Sequence, residues 1–203
     1  NNLISDYFLG LLISDGCISN RTITLGLKEE DVYMLEAFAS FCSPNLQVYK
    51  YFHRAHQIYQ YQVAFKHKEV ADWLRTKANF KNKSLECRLF AKLNSTILRG
   101  ISDGDGCFHI DKSNNLRWDL ANGSREFCLQ IMDFLALYNI KSSLVYNHCW
   151  HVVTCKDSYK LGQLLYSTSG PFLLRKRNIW AGYFGRSRRI NRLNSGNLSE
   201  QQS

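Results

Sequence analysis

The chain has 203 residues, with 26 Lys and Arg against 17 Asp and Glu, a formal charge of +9 and a pI near 9.2. That length permits one domain or two, and the positive balance favours a polyanionic partner through counterion release without saying which one. No transmembrane run or targeting peptide is evident, and seven cysteines with no Cys-x-x-Cys pair argue for reduced thiols in a cytosol-like compartment.

The first element is the phrase Phe8-Leu-Gly-Leu-Leu-Ile-Ser-Asp15-Gly16, an apolar run with a small residue inside and a carboxylate at its end. It returns as Leu98-Arg-Gly-Ile-Ser-Asp-Gly-Asp105-Gly106, with the two aspartates 90 positions apart, and Cys-Ile-Ser or Cys-Phe-His follows each copy. Duplication is the natural reading. Periodicity alone does not separate a buried helix from a buried strand. The glycines favour the helix: Gly10 and Gly100 would let two backbones approach, while Gly16 and Gly106 suit the left-handed residue that ends a helix. Two such helices side by side bring Asp15 and Asp105 together at a shared end. There the like charges repel and the negative helix terminus opposes both. A divalent cation relieves the two conflicts, and paired carboxylates completed by water and phosphate oxygens are what Mg²⁺ accepts.

After the first phrase come a hairpin turning at Asn20-Arg21, a strand over Thr22 to Leu27, and a helical pattern that Asp31 starts and that runs to Phe41. Extended segments follow around Leu46 to Phe52 and Ile58 to Phe65, then a helix over Glu69 to Leu74. The second half repeats this order: a strand over Cys107 to Asp111, a turn at Ser113-Asn114-Asn115, and a strand over Leu116 to Ala121. A helix over Arg125 to Tyr138, strands over Ser143 to Tyr146 and Trp150 to Cys155, and a helix over Ser158 to Leu165 complete it. Both halves read helix, two strands, helix, two strands, helix. The expected organisation is therefore an α+β, pseudo-twofold pair of αββαββα halves, over 1–90 and 91–185, with antiparallel sheets and the motif helices packed at the centre. The segment Ala78 to Ser95 contains no proline and is expected to be a short, ordered link. Residues 186–203 begin with Arg186, Arg188, Arg189 and Arg192 and read as a basic polar tail.

The strands carry the candidate contacts to nucleic acid. Arg21, Thr22, Thr24 and Lys28 in one half, and Lys112, Asn114, Arg117, Trp118 and Asp119 in the other, read as a polar strand face. Lys50, His53, Arg54, His56, Gln57, Tyr59 and Tyr61 extend it, answered by Asn147, His148, Trp150 and His151. A sheet face of this composition fits a major groove, and the same alternation also describes the solvated face of a half-buried sheet.

The repeated phrase resembles the motif of the LAGLIDADG homing endonucleases. The second copy keeps Leu, Gly, Asp, Asp and Gly where the consensus has them; the first has Ile13 in place of the earlier acid and keeps Asp15. The resemblance implies that Asp15 and Asp105, together with Gly16 and Gly106, bind the catalytic metal at the motif ends, each aspartate serving one strand, and that Asp103 is the less critical acid. It also implies that a lysine late in each half helps to order the attacking water. Lys83 and Lys176, 68 and 71 residues past their aspartates, are the candidates, with Lys81, Arg175 and Arg177 as neighbours able to substitute. The implied activity is site-specific, Mg²⁺-dependent double-strand cleavage of DNA with a staggered cut. Mn²⁺ would substitute and Ca²⁺ would support binding without cleavage. Two motifs in one chain imply a monomer and a long target that need not be palindromic.

Two other classes share this fold: a maturase binding intron RNA, and a DNA-binding regulator that does not cleave. Retention of both acids weighs against pure binding. The implied location is a cytoplasm, a nucleoid or an organelle matrix rather than a secreted one. The chain opens on Asn1 without Met, compatible with a piece of a longer protein such as an intein, though no splicing motif is visible. Asp103-Gly-Asp105-Gly starts like a calcium loop but lacks the glycine such a loop requires. His148, Cys149, His151 and Cys155 suggest zinc, yet neighbours in a strand face opposite sides, which disfavours a shared site.

Overall fold

A computed structural model describes residues 3–53, 57–80 and 83–183, with the side chains of residues 53, 58, 83 and 84 outside the description. The first half runs α1 (Asp6–Asp15), β1 (Gly16–Ser19), β2 (Thr22–Leu27), α2 (Val32–Cys42), β3 (Tyr49–His53), β4 (Ile58–Lys66) and α3 (Lys68–Lys77). A single turn, α4 (Lys83–Glu86), leads to the second half: α5 (Ser95–Gly104), β5 (Gly106–Ile110), β6 (Leu116–Asn122), α6 (Arg125–Leu137), β7 (Ser143–Asn147), β8 (Cys149–Thr154) and α7 (Ser158–Tyr166). Residues 174–183 are helical as well.

Each half holds a four-stranded antiparallel sheet, ordered β1-β2-β4-β3 and β5-β6-β8-β7. The repeat read from the sequence is thus a repeat of topology. In β2 the residues alternate between half-buried and buried, and β6 does the same through Leu116, Trp118 and Leu120, the period-2 pattern of a sheet covered on one side. Helices α1, α2 and α3 pack on β2 and β4, and α6 and α7 pack on the second sheet. The other face of each sheet, carrying Thr22, Thr24, Gln62, Arg117, Asp119 and His151, is left without a helix among the described residues.

The motif helices α1 and α5 lie side by side in the core. Asn94 starts α5 as its N-cap, accepting from Thr96 N at 3.0 Å and Ile97 N at 2.9 Å, and its Nδ2 donates to Asp6 Oδ2 at 2.7 Å, tying the two helix starts together. Midway, a Cβ on Gly10 would stand 2.9 Å from Ile101 N and 3.0 Å from Gly100 Cα, with the Ile97 carbonyl closer still. Only glycine permits that approach. Ser14 Oγ donates across the interface to the Ile101 carbonyl at 3.1 Å.

Gly16 and Gly106 differ from expectation. Gly16 has φ −82° and ψ 162°, extended rather than left-handed, and among the described glycines only Gly170 has a positive φ. Both are instead required by space, since a Cβ would meet Leu12 Cα at 2.7 Å or the Ser102 carbonyl at 2.7 Å. The chain passes from helix directly into strand at these points, and the last helical turn crowds the first strand residue.

The link between halves is ordered as expected where described. Ala78 bridges Leu89, Gln130 brackets Leu89 through both its N–H and carbonyl, and Ser124 Oγ donates to the Cys87 carbonyl at 2.7 Å. A second tie runs the other way. Arg175 Nε donates to Asp31 Oδ2 at 2.7 Å, and Tyr33 OH donates to the Phe172 carbonyl while accepting from Leu174 N. Asp31 is almost fully buried, so the ion pair holds the end of the second half against the first. The basic tail lies outside the described residues.

Candidate functional site

Asp15 is the last residue of α1 and Asp105 the C-cap of α5, and both are exposed. Their helix ends meet: a Cβ on Gly104, the residue before Asp105, would stand 2.8 Å from Asp15 Oδ2. The side-by-side packing therefore sets two carboxylates at one end of the helix pair, where the C-terminal dipoles add to their mutual repulsion. A cavity of about 270 Å³ opens beside them, lined by Asp105, Ser14, Asn122 and Cys149 among others.

Lys176 reaches this end from the second half. It is buried, 7% exposed, and its Nζ donates to the Gly106 carbonyl next to Asp105. Burial and the Arg175 charge draw its pKa below the ordinary lysine value, against the opposite pull of Cys107, Asp103 and Asp15. The Gly106 carbonyl, at one of the expected metal positions, thus already accepts a hydrogen bond from an ammonium group. Lys83 begins α4, and its side chain lies outside the described residues.

Asp103 is not a lesser copy of Asp105. It is fully buried and accepts three hydrogen bonds, from Tyr7 OH at 2.9 Å, Tyr166 OH at 2.7 Å and Leu173 N at 2.7 Å. Burial pushes its carboxyl up to about 6, against those hydrogen bonds and the Lys176 charge, which pull it down. It joins α1, α5, α7 and the segment that carries Lys176. No sequence signal separates this role from a metal role, because both demand an acid in the motif.

The two carboxylates form a hard oxygen donor pair, but among the described residues no group of three or more His, Cys, Asp or Glu side chains could hold a metal. A cation here needs water or ligand oxygens to complete its shell, which suits Mg²⁺ better than an ion requiring a closed protein cage. No zinc cluster forms at His148, Cys149, His151 and Cys155 among the described residues either.

The candidate DNA contacts divide by strand face. Thr22 and Thr24 share the uncovered side of the first sheet and Arg117 that of the second, and Lys28 is exposed just past the end of β2; Arg21, Lys112, Asn114 and His148 are exposed at turns, with Asn114 and His148 at positive φ. Arg117 is held by Asp111, whose Oδ2 accepts from Nε at 2.5 Å. Hydrogen bonds from Asn115 N and Arg117 keep the Asp111 carboxyl down at about 2.

Four candidates lie off the uncovered faces. Trp118 is fully buried, with Nε1 donating to Ser102 Oγ at 2.9 Å, so it supports α5 and meets no partner. It cannot share a face with Arg117 and Asp119, its neighbours in the strand. Trp150 also faces the helix side, half-buried, with Tyr146 at 4.9 Å and the Arg125 guanidinium 5.6 Å from its ring. Lys50 and Tyr59 lie on the core-side face of the first sheet, past the edge of the core. There the Lys50 ammonium stands 4.6 Å from the Tyr59 ring and 4.0 Å from Glu29 Oε1. Gln57 is exposed at positive φ, and Arg54 lies outside the described residues.

Comparison with known proteins agrees with the architecture. A family model described as LAGLIDADG-like domain matches residues 93–185. No curated protein matches the sequence. The fold matches the homing endonuclease I-WcaI bound to its DNA recognition sequence, at TM-score 0.63 and 16% identity over 85% of this chain and 84% of that one. It matches the LAGLIDADG meganuclease I-AabMI bound to uncleaved DNA at 0.63 and 14%, over 93% and 92% of the two chains. The N-terminal LAGLIDADG domain of DUF199/WhiA matches at 0.55 and 12%, over 86% and 85%. Residues 93–185 thus belong to the LAGLIDADG-like domain family, and the chain as a whole carries the fold of the LAGLIDADG endonucleases.

Proposed function

We propose that the chain is a site-specific double-strand DNA endonuclease of the homing type. It acts as a monomer, and its two unlike halves read a long, asymmetric target and give a staggered cut. The observation that carries this reading is the meeting of Asp15, Asp105 and Lys176 at the shared end of α1 and α5, between two uncovered polar sheet faces. DNA is the partner of the similar chains I-WcaI and I-AabMI, and the +9 charge suits it.

Mg²⁺, with Mn²⁺ able to replace it and Ca²⁺ supporting binding alone, would supply Lewis-acid stabilisation of the phosphate oxygens. Asp15 and Asp105 would hold it through carboxylate oxygens, one serving each strand. Lys176, anchored on the Gly106 carbonyl and drawn below its ordinary pKa, would orient the attacking water or steady charge on the phosphate, and Lys83 would do so in the other half. Thr22, Thr24 and Arg117 would meet the DNA from the uncovered faces, with Lys28 just past the end of β2 and Arg21, Lys112, Asn114 and His148 at the turns. The site of action would be a cytoplasm, a nucleoid or an organelle matrix.

The test selects binding duplexes from a random library in Ca²⁺ and then adds Mg²⁺. Cleavage at one position per strand supports the endonuclease. Specific binding without cleavage in Mg²⁺ or Mn²⁺ overturns it in favour of a regulator, and selection of intron RNA over every duplex overturns it in favour of a maturase.

A further inference from the structure

Cys149 and His151 stand two residues apart on β8, so both project from the uncovered face of the second sheet. The Cys149 Sγ lies 3.3 Å from His151 Nε2, and His151 Nδ1 lies 3.0 Å from Asp119 Oδ1 on β6. Asp119 shares that face because its neighbours Trp118 and Leu120 turn inward and are buried. Nε2 also lies 3.3 Å from the Asn147 carbonyl. A sulfur nucleophile, a base within reach of it and a carboxylate that orients the base therefore stand in sequence, the arrangement by which a thiol is activated. The same Cys149 lines the 270 Å³ cavity that holds Asp105. The hydrolytic step proposed above assigns no chemistry to these three residues, although Asp119 and His151 lie on the sheet face proposed to meet DNA.

We propose that Cys149 is a reactive, peroxide-sensitive thiol whose oxidation obstructs the cavity beside Asp105. His151 Nε2 takes the thiol proton as the sulfur attacks the terminal oxygen of a hydroperoxide. The S–O bond forms as the O–O bond breaks, and the sulfur is oxidised by two electrons to a sulfenic acid. The leaving oxygen collects the proton from His151 and departs as water or an alcohol, while Asp119 holds the imidazole in line. The added oxygen then takes up part of the cavity that Asp105 also lines. A small thiol reductant reverses the step, so the device is a reversible switch.

The experiment uses the full reduced chain. Substoichiometric iodoacetamide, followed by peptide mass mapping, ranks the cysteines by alkylation rate; hydrogen peroxide with a sulfenic-acid trap then locates the oxidised one. Cys149 is expected to react about tenfold or more faster than Cys17 and Cys107, which are more exposed and serve as internal comparators. His151→Asn should remove that lead, and Asp119→Asn should reduce it several-fold, with circular dichroism confirming the fold. In an arm that rests on the endonuclease reading, peroxide should stop cleavage by the unmodified sequence and spare whatever cleavage Cys149→Ser retains. Alkylation of Cys149 no faster than Cys17 and Cys107, or a lead that survives His151→Asn, overturns the proposal. Because labelling needs no DNA, that failure is distinguishable from the absence of nuclease activity.

Discussion

Replacing Gly10 with alanine tests the packing that creates the site. The added Cβ would stand 2.9 Å from Ile101 N and 3.0 Å from Gly100 Cα, where ordinary contact begins at 3.4 Å, and the Ile97 carbonyl is nearer still. The obstacles are backbone on a neighbouring helix, so no side chain can rotate away and the helices must part by roughly 1 Å. Overpacking of this kind costs about 1–3 kcal/mol when side chains can adjust. Here Leu11, Leu12, Leu98 and Ile101 also lose contact across the interface, which places the cost at the upper end. Alanine returns about 1 kcal/mol through its better helix propensity, leaving a net loss of about 2 kcal/mol. With a urea dependence of about 2 kcal/mol per molar, the unfolding midpoint should fall by roughly 1 M. Gly100→Ala meets Leu11 N at 2.7 Å and should behave alike. The double variant should lose clearly less than the sum, because helices already parted accept the second methyl. The same separation displaces Asp15 from Asp105 and should lower cleavage about 100-fold. A midpoint equal to or above that of the unsubstituted chain, or strict additivity, would refute the close-packed pair.

Asp103 predicts a pH dependence. Its folded pKa is raised from 3.8 to about 6, so the folded state holds a proton that the unfolded chain has released. The resulting stabilisation is complete below about pH 4 and is lost as pH rises through 6, by an amount on the order of 3 kcal/mol. Asp103→Asn, neutral throughout, should remove this slope, and urea melts of both chains at pH 4.5 and 7 would show a constant difference if the reasoning is wrong. Arg175→Ala should cost about 3 kcal/mol by leaving Asp31 buried without its partner, and adding Asp31→Asn should recover most of that; a loss under 1 kcal/mol would deny the clamp. Trp118→Phe should lose about 1–2 kcal/mol of stability through the Ser102 hydrogen bond and ring volume while selecting the same duplexes, whereas Arg117→Ala should change the duplexes selected and leave stability nearly intact. A changed target for Trp118→Phe would restore that residue to the interface.

The repeat was the part of the structure most open to reading. Two copies of one apolar phrase, each ending in Asp-Gly, carried the helix pair, its register and the location of both aspartates, because close packing at Gly10 and Gly100 leaves a visible gap in an otherwise bulky run. The strands themselves and the hairpins that join successive ones are legible through alternation in stretches such as Thr22-Ile-Thr-Leu-Gly-Leu27, whereas their order across each sheet is not. Strand faces are less legible. Polarity and aromaticity group Arg117, Trp118 and Asp119, yet consecutive strand residues point apart, and Trp118 is core. Applied to Cys149 and His151, the same period places both on one face; the contact of His151 with Asp119 depends on β6 pairing with β8, which no local pattern states. The structural role of Asp103 is hidden for another reason. Its three hydrogen-bond donors come from positions 63 to 96 residues away, and burial of an acid is settled by such partners rather than by its neighbours in the chain.

The most direct test of the account places Asp15→Asn and Asp105→Asn separately on the duplex selected by the unsubstituted chain. Asparagine keeps the shape of each side chain and removes the charge that a divalent cation needs. Each variant should bind the duplex within a few-fold of the original in Ca²⁺ and make no double-strand break in Mg²⁺ or Mn²⁺. Cleavage of both strands at an undiminished rate by either variant would contradict the claim that the two carboxylates at the shared helix end are the cutting site.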